Sequence, residues 1–281
     1  MQQQGVECDF TGSDSWVILS PIEQSIKRKI EAVGVPLKDW DIQINYGIKT
    51  GYNDAFIIST EKRNEILANC KDADERKRTE ELIRPILRGR DIKRYGYEWA
   101  NLWIINTHNG IKGKLPRIDV NEYPAIKAHL DQFWDKISKR ADKGDTPYNL
   151  RNCAYMEDFN KPKIVWGNLN LKGAYSYAPE GMFINAPSPF LATSNIAVLH
   201  ILNSKIADYY IRSLGVTRNG GYFEYKPMFV ERLPIPQIGL ENLNSYPIKP
   251  SKEQEKEIEE NVYQIYGLSL QEIDYMENRE D

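Results

Sequence analysis

The sequence predicts an α+β fold of mixed α/β type with helices at both ends. Three observations predict it. Ile42, Ile44, Tyr46 and Ile48 alternate at the period of a strand, whereas residues 123–140 and 196–214 carry apolar side chains at helical spacing. Capping boxes open helices near both termini, at Ser20-x-x-Glu23, Ser251-x-x-Gln254 and Ser269-x-x-Glu272.

Residues 1–15 show no periodicity and read as a loose lead-in. Ser20-Pro21-Ile22-Glu23 then starts a helix whose apolar face is Ile22, Ile26, Ile30 and Val33, stopped by Gly34 and Pro36. The alternating run at 42–48, a turn at 49–53 and a second strand at 55–59 suggest a hairpin. Short charged helices follow at 61–70 and 73–83, then a strand at 102–106, a turn at Asn109-Gly110 and one amphipathic helix over 123–140. In the second half, strands are expected at 163–166, 174–178 and 182–185. One helix is expected over 196–214, ended by Gly215, followed by a Gly/Asn/aromatic loop with a short strand at 216–226. Pro234 and Pro236 close the body. The tail reads as a helix pair with an apolar stripe of Ile258, Val262, Ile265 and Tyr266 on an otherwise acidic surface.

The 281 residues suffice for a buried core, and 41% hydrophobic with 27% charged residues is ordinary globular composition. No apolar run approaches a membrane span, and the N-terminus lacks the charged and apolar regions of a secretory signal. Cys8, Cys70 and Cys153 are scattered and odd in number, which points to a reducing cytoplasm. The net charge of −3 conceals an uneven distribution. From Ser251 onward ten acidic residues stand against three basic ones, a local net of −7, so residues 1–250 are mildly basic at +4.

Catalytic signatures are missing. His108, His129 and His200 are isolated, and the sequence has no metal-ligand spacing, nucleophile elbow, phosphate loop, dinucleotide fingerprint or adenine-methyltransferase Asn-Pro-Pro-Tyr motif. No catalytic residue, metal or cofactor is therefore assigned. One alternative is a Mg²⁺-dependent nuclease in which Asp208 and Glu224 hold the metal and Lys226 activates water. Asp208 falls within a helical stripe, and Glu-x-Lys is common by chance in a charged chain, so this reading is the weaker one. A protein-docking scaffold is a further alternative, based on the terminal helices.

Polar loops at strand ends carry the side chains that contact nucleic acid. Lys49, Thr50, Arg88, Arg90, Lys93 and Arg94 are the phosphate-binding candidates, and Gly89 among them allows close backbone approach. Asn53, Asn168, Asn170, Lys172, Arg218, Asn219 and Tyr222 are the base-reading candidates, because Asn pairs with adenine and Arg or Lys with guanine.

Residues 40–56 (WDIQINYGIKTGYNDAF), 83–96 (IRPILRGRDIKRYG) and 162–168 (PKIVWGN) occur in that order, followed by Leu202-Asn203-Ser204-Lys205, Gly221-Tyr222 and Leu233-Pro234-Ile235-Pro236. On these stretches the chain resembles the TaqI-like C-terminal specificity domain of type IIG restriction-modification enzymes and related adenine-specific methyltransferases. The resemblance covers residues 16–240, with 250–281 as an acidic helix pair. It implies a target recognition domain like those of type I specificity subunits, flanked by helices, which reads duplex DNA without activity of its own. It further implies a methyltransferase, often with a nuclease, elsewhere in the same polypeptide or complex, with S-adenosylmethionine and Mg²⁺ serving that portion. Because such domains vary most where they read sequence, the matching motifs are expected to be structural, with Arg90 and Asp91 as a buried pair. The base readers are expected in the 168–172 and 217–222 loops.

Overall fold

The computed structural model describes residues 19–278; the expected lead-in at 1–15 lies outside them. The first helix, α1 (Pro21–Val33), forms with its capping box intact: the Glu23 amide donates to Ser20 Oγ and the Ser20 amide to the Glu23 carboxylate. There follow β1 (Gly34–Pro36), β2 (Ile44–Tyr46), α2 (Asn53–Phe56), β3 (Ile57–Ser59), α3 (Thr60–Ala68) and α4 (Ala73–Leu82). Next come β4 (Ile83–Leu87), β5 (Ile92–Lys93), β6 (Gly96–Tyr97), β7 (Leu102–Ile105), α5 (Pro124–Asp131) and α6 (Trp134–Ile137).

Two expectations in this half are corrected. The hairpin across 42–59 does not form, because residues 53–56 coil into α2 and β2 and β3 enter different sheets. The turn is set instead by Gly51 at φ 70° and by the Thr50 hydroxyl, which donates to Asn53 Oδ1 at 2.6 Å. The single helix over 123–140 is broken between α5 and α6. Phe133 leaves helical geometry there and packs against the rings of His129 and Tyr52.

The second half contains β8 (Lys163–Trp166), β9 (Leu169–Asn170), β10 (Tyr175–Ala178), β11 (Phe183–Ile184), β12 (Pro189–Ala192), α7 (Ile196–Leu202) and α8 (Lys205–Ser213). It continues with β13 (Phe223–Glu224), α9 (Pro227–Val230), β14 (Pro234–Pro236), α10 (Leu240–Asn244), α11 (Lys252–Ile265) and α12 (Leu270–Glu277). The helix expected over 196–214 is two helices. Ser204 caps α8 by accepting from the Ala207 amide, while the Asn203 side chain accepts from the Tyr175 amide through Oδ1 and donates to Tyr175 O through Nδ2, both at 3.0 Å. A local cap and a distant backbone partner thus interrupt an unbroken apolar stripe. Both tail capping boxes form as read.

One four-stranded antiparallel sheet has the order β10-β8-β12-β2, and a second has the order β11-β4-β7-β3, with β11 parallel to β4. The segment just after β2 joins them, since the Ile48 amide donates to Ile184 O and the Ala186 amide to Ile48 O. The first sheet lies between two hydrophobic cores. Ile164 and Trp166 of β8 and Leu191 of β12 face one core, together with α1, α7, α8, Ile258 and Val262 of α11 and Tyr266 at its C-terminal end. Val165 and Phe190, the intervening residues, face the other core with Phe56, Ile86, Ile104, Ile126 and Phe159. Burial on both faces explains why these strands show no polar alternation in sequence. The tail stripe is buried against the body, and β1 pairs antiparallel with β14 near the two ends of that body. The architecture is α+β with helices at both ends.

Candidate nucleic-acid interface

The three motif stretches meet at one point. The Gly47 amide donates to Ser188 O at 2.8 Å, and a Cβ on Gly47 would lie 2.4 Å from Ile184 O. A Cβ on Gly89 would lie 2.7 Å from Ser188 Oγ and 3.6 Å from Gly167 Cα. Each of these glycines is therefore set by close approach of other backbone or a buried serine. The motifs form a hub from which the loops diverge.

The hub consumes much of the charge in residues 88–94. Arg88 grips Asp91 with two side-chain bonds, Nε to Oδ2 at 3.0 Å and Nη2 to Oδ1 at 2.7 Å, while the Arg88 amide also donates to Oδ2 at 2.9 Å. Burial pushes the Asp91 carboxyl up, but the Arg88 bonds outweigh it and the group sits below its ordinary range. The buried acid's partner is thus Arg88, which corrects the expected Arg90–Asp91 pair. Arg94 donates to Glu255 of α11 at 2.8 Å and to Asn203 O, and it lies over the Tyr95 ring. Lys93 donates to Arg90 O at 2.9 Å. Arg90 is exposed, and no hydrogen bond or salt bridge engages its guanidinium among the described residues.

Around the Gly51 turn, Lys49 pairs with Asp142 at 2.8 Å, and Arg151 approaches the other oxygen of the same carboxylate. Thr50 is buried with its hydroxyl turned to Asn53, so it presents nothing to a phosphate. Behind the turn, the buried Arg140 guanidinium donates to the carbonyls of Thr50, Pro147 and Asn149, and burial lowers its pKa to about 10.

The structure brings the two base-reading loops together. β9 pairs antiparallel with β13, with Asn170 opposite Phe223 and Leu169 opposite Glu224. Loops separated by about fifty positions thereby form one two-stranded ribbon. It is rooted at Tyr225, whose amide donates to Asn168 O, and at Trp166, whose indole donates to Tyr225 O at 2.8 Å. Phe223 and Tyr225 are buried beneath it, while Leu169, Leu171, Lys172 and every residue from Val216 to Tyr222 are exposed. Gly220 and Gly221, both at φ 78°, shape the tip, where the Arg218 amide donates to Tyr222 O at 2.5 Å. Not every candidate is equally available. Asn170 folds back to donate to Gly167 O, the Asn168 side-chain oxygen is buried without a partner among the described residues, and Arg218 pairs with Glu224 at 3.1 Å. Lys172, Asn219 and Tyr222 are exposed.

The residues of the nuclease alternative are engaged elsewhere. Asp208 Oδ1 accepts from Tyr225 OH at 2.5 Å and from the Gly173 amide at 2.8 Å. Glu224 is held by Lys226 at 2.7 Å as well as by Arg218. Among the described residues no three His, Cys, Asp or Glu side chains gather as a metal-ligand set, and no helix is long and apolar enough to cross a membrane.

Residues 84–235 match the model of the TaqI-like C-terminal specificity domain, more than half of the chain. The chain belongs to that family. Among curated proteins, this specificity domain is 21% identical over 234 residues to the type II methyltransferase M.PaeR7I of Pseudomonas aeruginosa, covering 80% of the chain and 38% of the relative. Among solved structures it is similar to the type IIL restriction-modification enzyme MmeI, determined in complex with DNA. That similarity has a TM-score of 0.60 at 13% identity, over 85% of this chain and 34% of the other. The type IIG restriction endonuclease BpuSI aligns over 88% of this chain and 32% of its own, at 13% identity and a TM-score of 0.48. The chain thus spans about a third of the length of these relatives. The matched part of the specificity domain contains the Gly89–Gly167–Ser188 hub and the whole ribbon; Gly47 and the Gly51 turn precede it.

Proposed function

We propose that this specificity domain recognises a short duplex DNA sequence for a type II restriction-modification system. In this reading the β9–β13 ribbon reads bases while nearby cations hold the phosphates. The observation that carries the proposal is the pairing that merges two polar loops into one exposed ribbon on a buried aromatic root. A two-stranded ribbon fits the major groove, where Asn and Arg or Lys distinguish adenine and guanine and an apolar side chain can contact the thymine methyl. Lys172, Asn219 and Tyr222 are the readers best placed, with Arg218 joining them on release from Glu224. Arg90 is the best placed phosphate ligand of the 88–94 turn, whereas Arg88 and Arg94 serve the fold. Lys49 and Lys93 are themselves exposed and can turn to phosphate by leaving Asp142 and Arg90 O.

In this reading the domain catalyses nothing by itself. Methylation with S-adenosylmethionine, and any Mg²⁺-dependent cleavage, belong to the portion by which the relatives are longer. Its setting is the cytoplasm. The test is selection of the purified chain on a pool of random duplexes, sequenced at two salt concentrations. An enriched motif that changes with Asn219→Ala or Lys172→Ala is expected. Equal recovery of all sequences by parent and variants would overturn the assignment of the ribbon as reader.

A further inference from the structure

We infer that a second surface, built from residues 109–117, 134–151 and Lys49, is a phosphate platform for duplex DNA outside the bases read by the ribbon. The inference rests on the DNA-recognition reading and adds to it a surface that, Lys49 apart, none of the sequence motifs marks. In a chain of net charge −3, these segments carry eight basic side chains besides the buried Arg140, against four acidic ones counting Glu157, the partner of Lys114. The segments form one continuous surface. Lys49 and Arg151 share Asp142, while Arg117 and Asn109 both bond to Asp145. A groove of about 840 Å³ lies along the 109–117 loop and reaches Asp145 and Asn152.

Three features favour phosphate as the ligand. Lys112, Lys136 and Lys139 are exposed, and no hydrogen bond or salt bridge occupies their ammonium groups among the described residues. Ammonium groups on flexible stems suit phosphate as point charges, whereas base reading favours fixed, forked donors. At the tip of the 109–117 loop, Gly113 sits at φ 75° with nothing within 4 Å of where its Cβ would be, so a backbone can come close there. The platform is also rigidly backed. The three carbonyls gripped by Arg140 tie the 140–151 segment to the Gly51 turn, so the backbone of that segment needs little ordering on binding.

The test compares K112Q/K136Q/K139Q with the parent, using a fluorescein-labelled duplex of arbitrary sequence over a range of salt. Each phosphate contact contributes about 0.9 to the slope of log affinity against log salt. The variant should lose about 2 to 3 from that slope and roughly tenfold or more in affinity at low salt, while selecting the same motif from a random pool. K112R/K136R/K139R should keep the parent slope. K71Q/K77Q/K256Q, an equal charge change at exposed sites outside the platform, should keep it too. An unchanged slope in the first variant, or an equal fall in the control, overturns the platform. If the parent binds no duplex at any salt, the DNA-recognition reading itself fails, and the platform with it.

Discussion

Lys29 Nζ stands 2.6 Å from Glu272 Oε2, joining α1 to α12 across 243 positions of chain. Ser25 Oγ donates to the other carboxylate oxygen at 2.7 Å, and the Ser269 amide and hydroxyl complete the cap. The tail is thereby fastened to the N-terminal helix as well as to the core. Burial pushes the Glu272 carboxyl up, but Lys29 and the serine donors outweigh it and bring the pKa down to about 2.

A carboxylate with a depressed folded-state pKa stabilises the protein above its unfolded value and loses that contribution as pH falls toward the folded value. The loss should run from about pH 5 to pH 2 and amount to on the order of 2–3 kcal/mol. Glu272→Gln should therefore lower the melting temperature at pH 7 and flatten this part of the acid slope. Thermal unfolding at pH 7 and pH 3 measures both. Parallel curves for parent and variant would show that the clasp contributes nothing through its charge.

Asp91 makes the corresponding prediction for the hub. It is buried, and its oxygens fix both the side chain and the amide of Arg88. Removing one partner of such a pair leaves the other poorly solvated, a loss of about 3 kcal/mol. Asp91→Ala should lower the urea midpoint accordingly, whereas Arg90→Ala should barely move it and should weaken DNA binding. Comparable stability losses in the two variants would contradict the pairing.

The Tyr225–Asp208 bond separates a ribbon anchor from a metal ligand. Tyr225→Phe removes a partly buried hydrogen bond to a carboxylate and should cost about 1.5 kcal/mol. Mg²⁺ should shift the melting temperature of neither parent nor variant. A Mg²⁺-dependent nicking activity that disappears in Glu224→Ala would reinstate the nuclease reading.

What could be read from the sequence follows from the range of the interactions involved. The three capping boxes at Ser20, Ser251 and Ser269 were legible because each bond spans three residues. β12 was illegible because Phe190 and Leu191 are buried in opposite cores, leaving no polar alternation. The break at Ser204 was hidden because Asn203 answers to Tyr175, 28 residues away. For the site, both ribbon loops stood out by composition, but their union through Phe223 and Asn170 depends on pairing between distant segments. Lys136 and Lys139 fall inside the stretch that reads as one amphipathic helix over 123–140, so they give no signal of their own.

The close approach of Gly89 to Ser188 gives a prediction that can be reversed by a second substitution. In Gly89→Ala the new methyl would sit 2.7 Å from Ser188 Oγ, and the next atom, Gly167 Cα, would be at an ordinary 3.6 Å. The clash is thus with one hydroxyl in a buried, well-packed place. Gly89→Ala alone should cost about 1–3 kcal/mol. Ser188→Ala removes the offending oxygen and leaves its Cβ at 4.0 Å from the new methyl, so the double variant should recover most of that loss. Urea denaturation of the four proteins in the cycle measures the coupling. Gly89 has no positive φ that would demand glycine, so additive losses would mean that its approach to Ser188 is not what the new methyl disturbs.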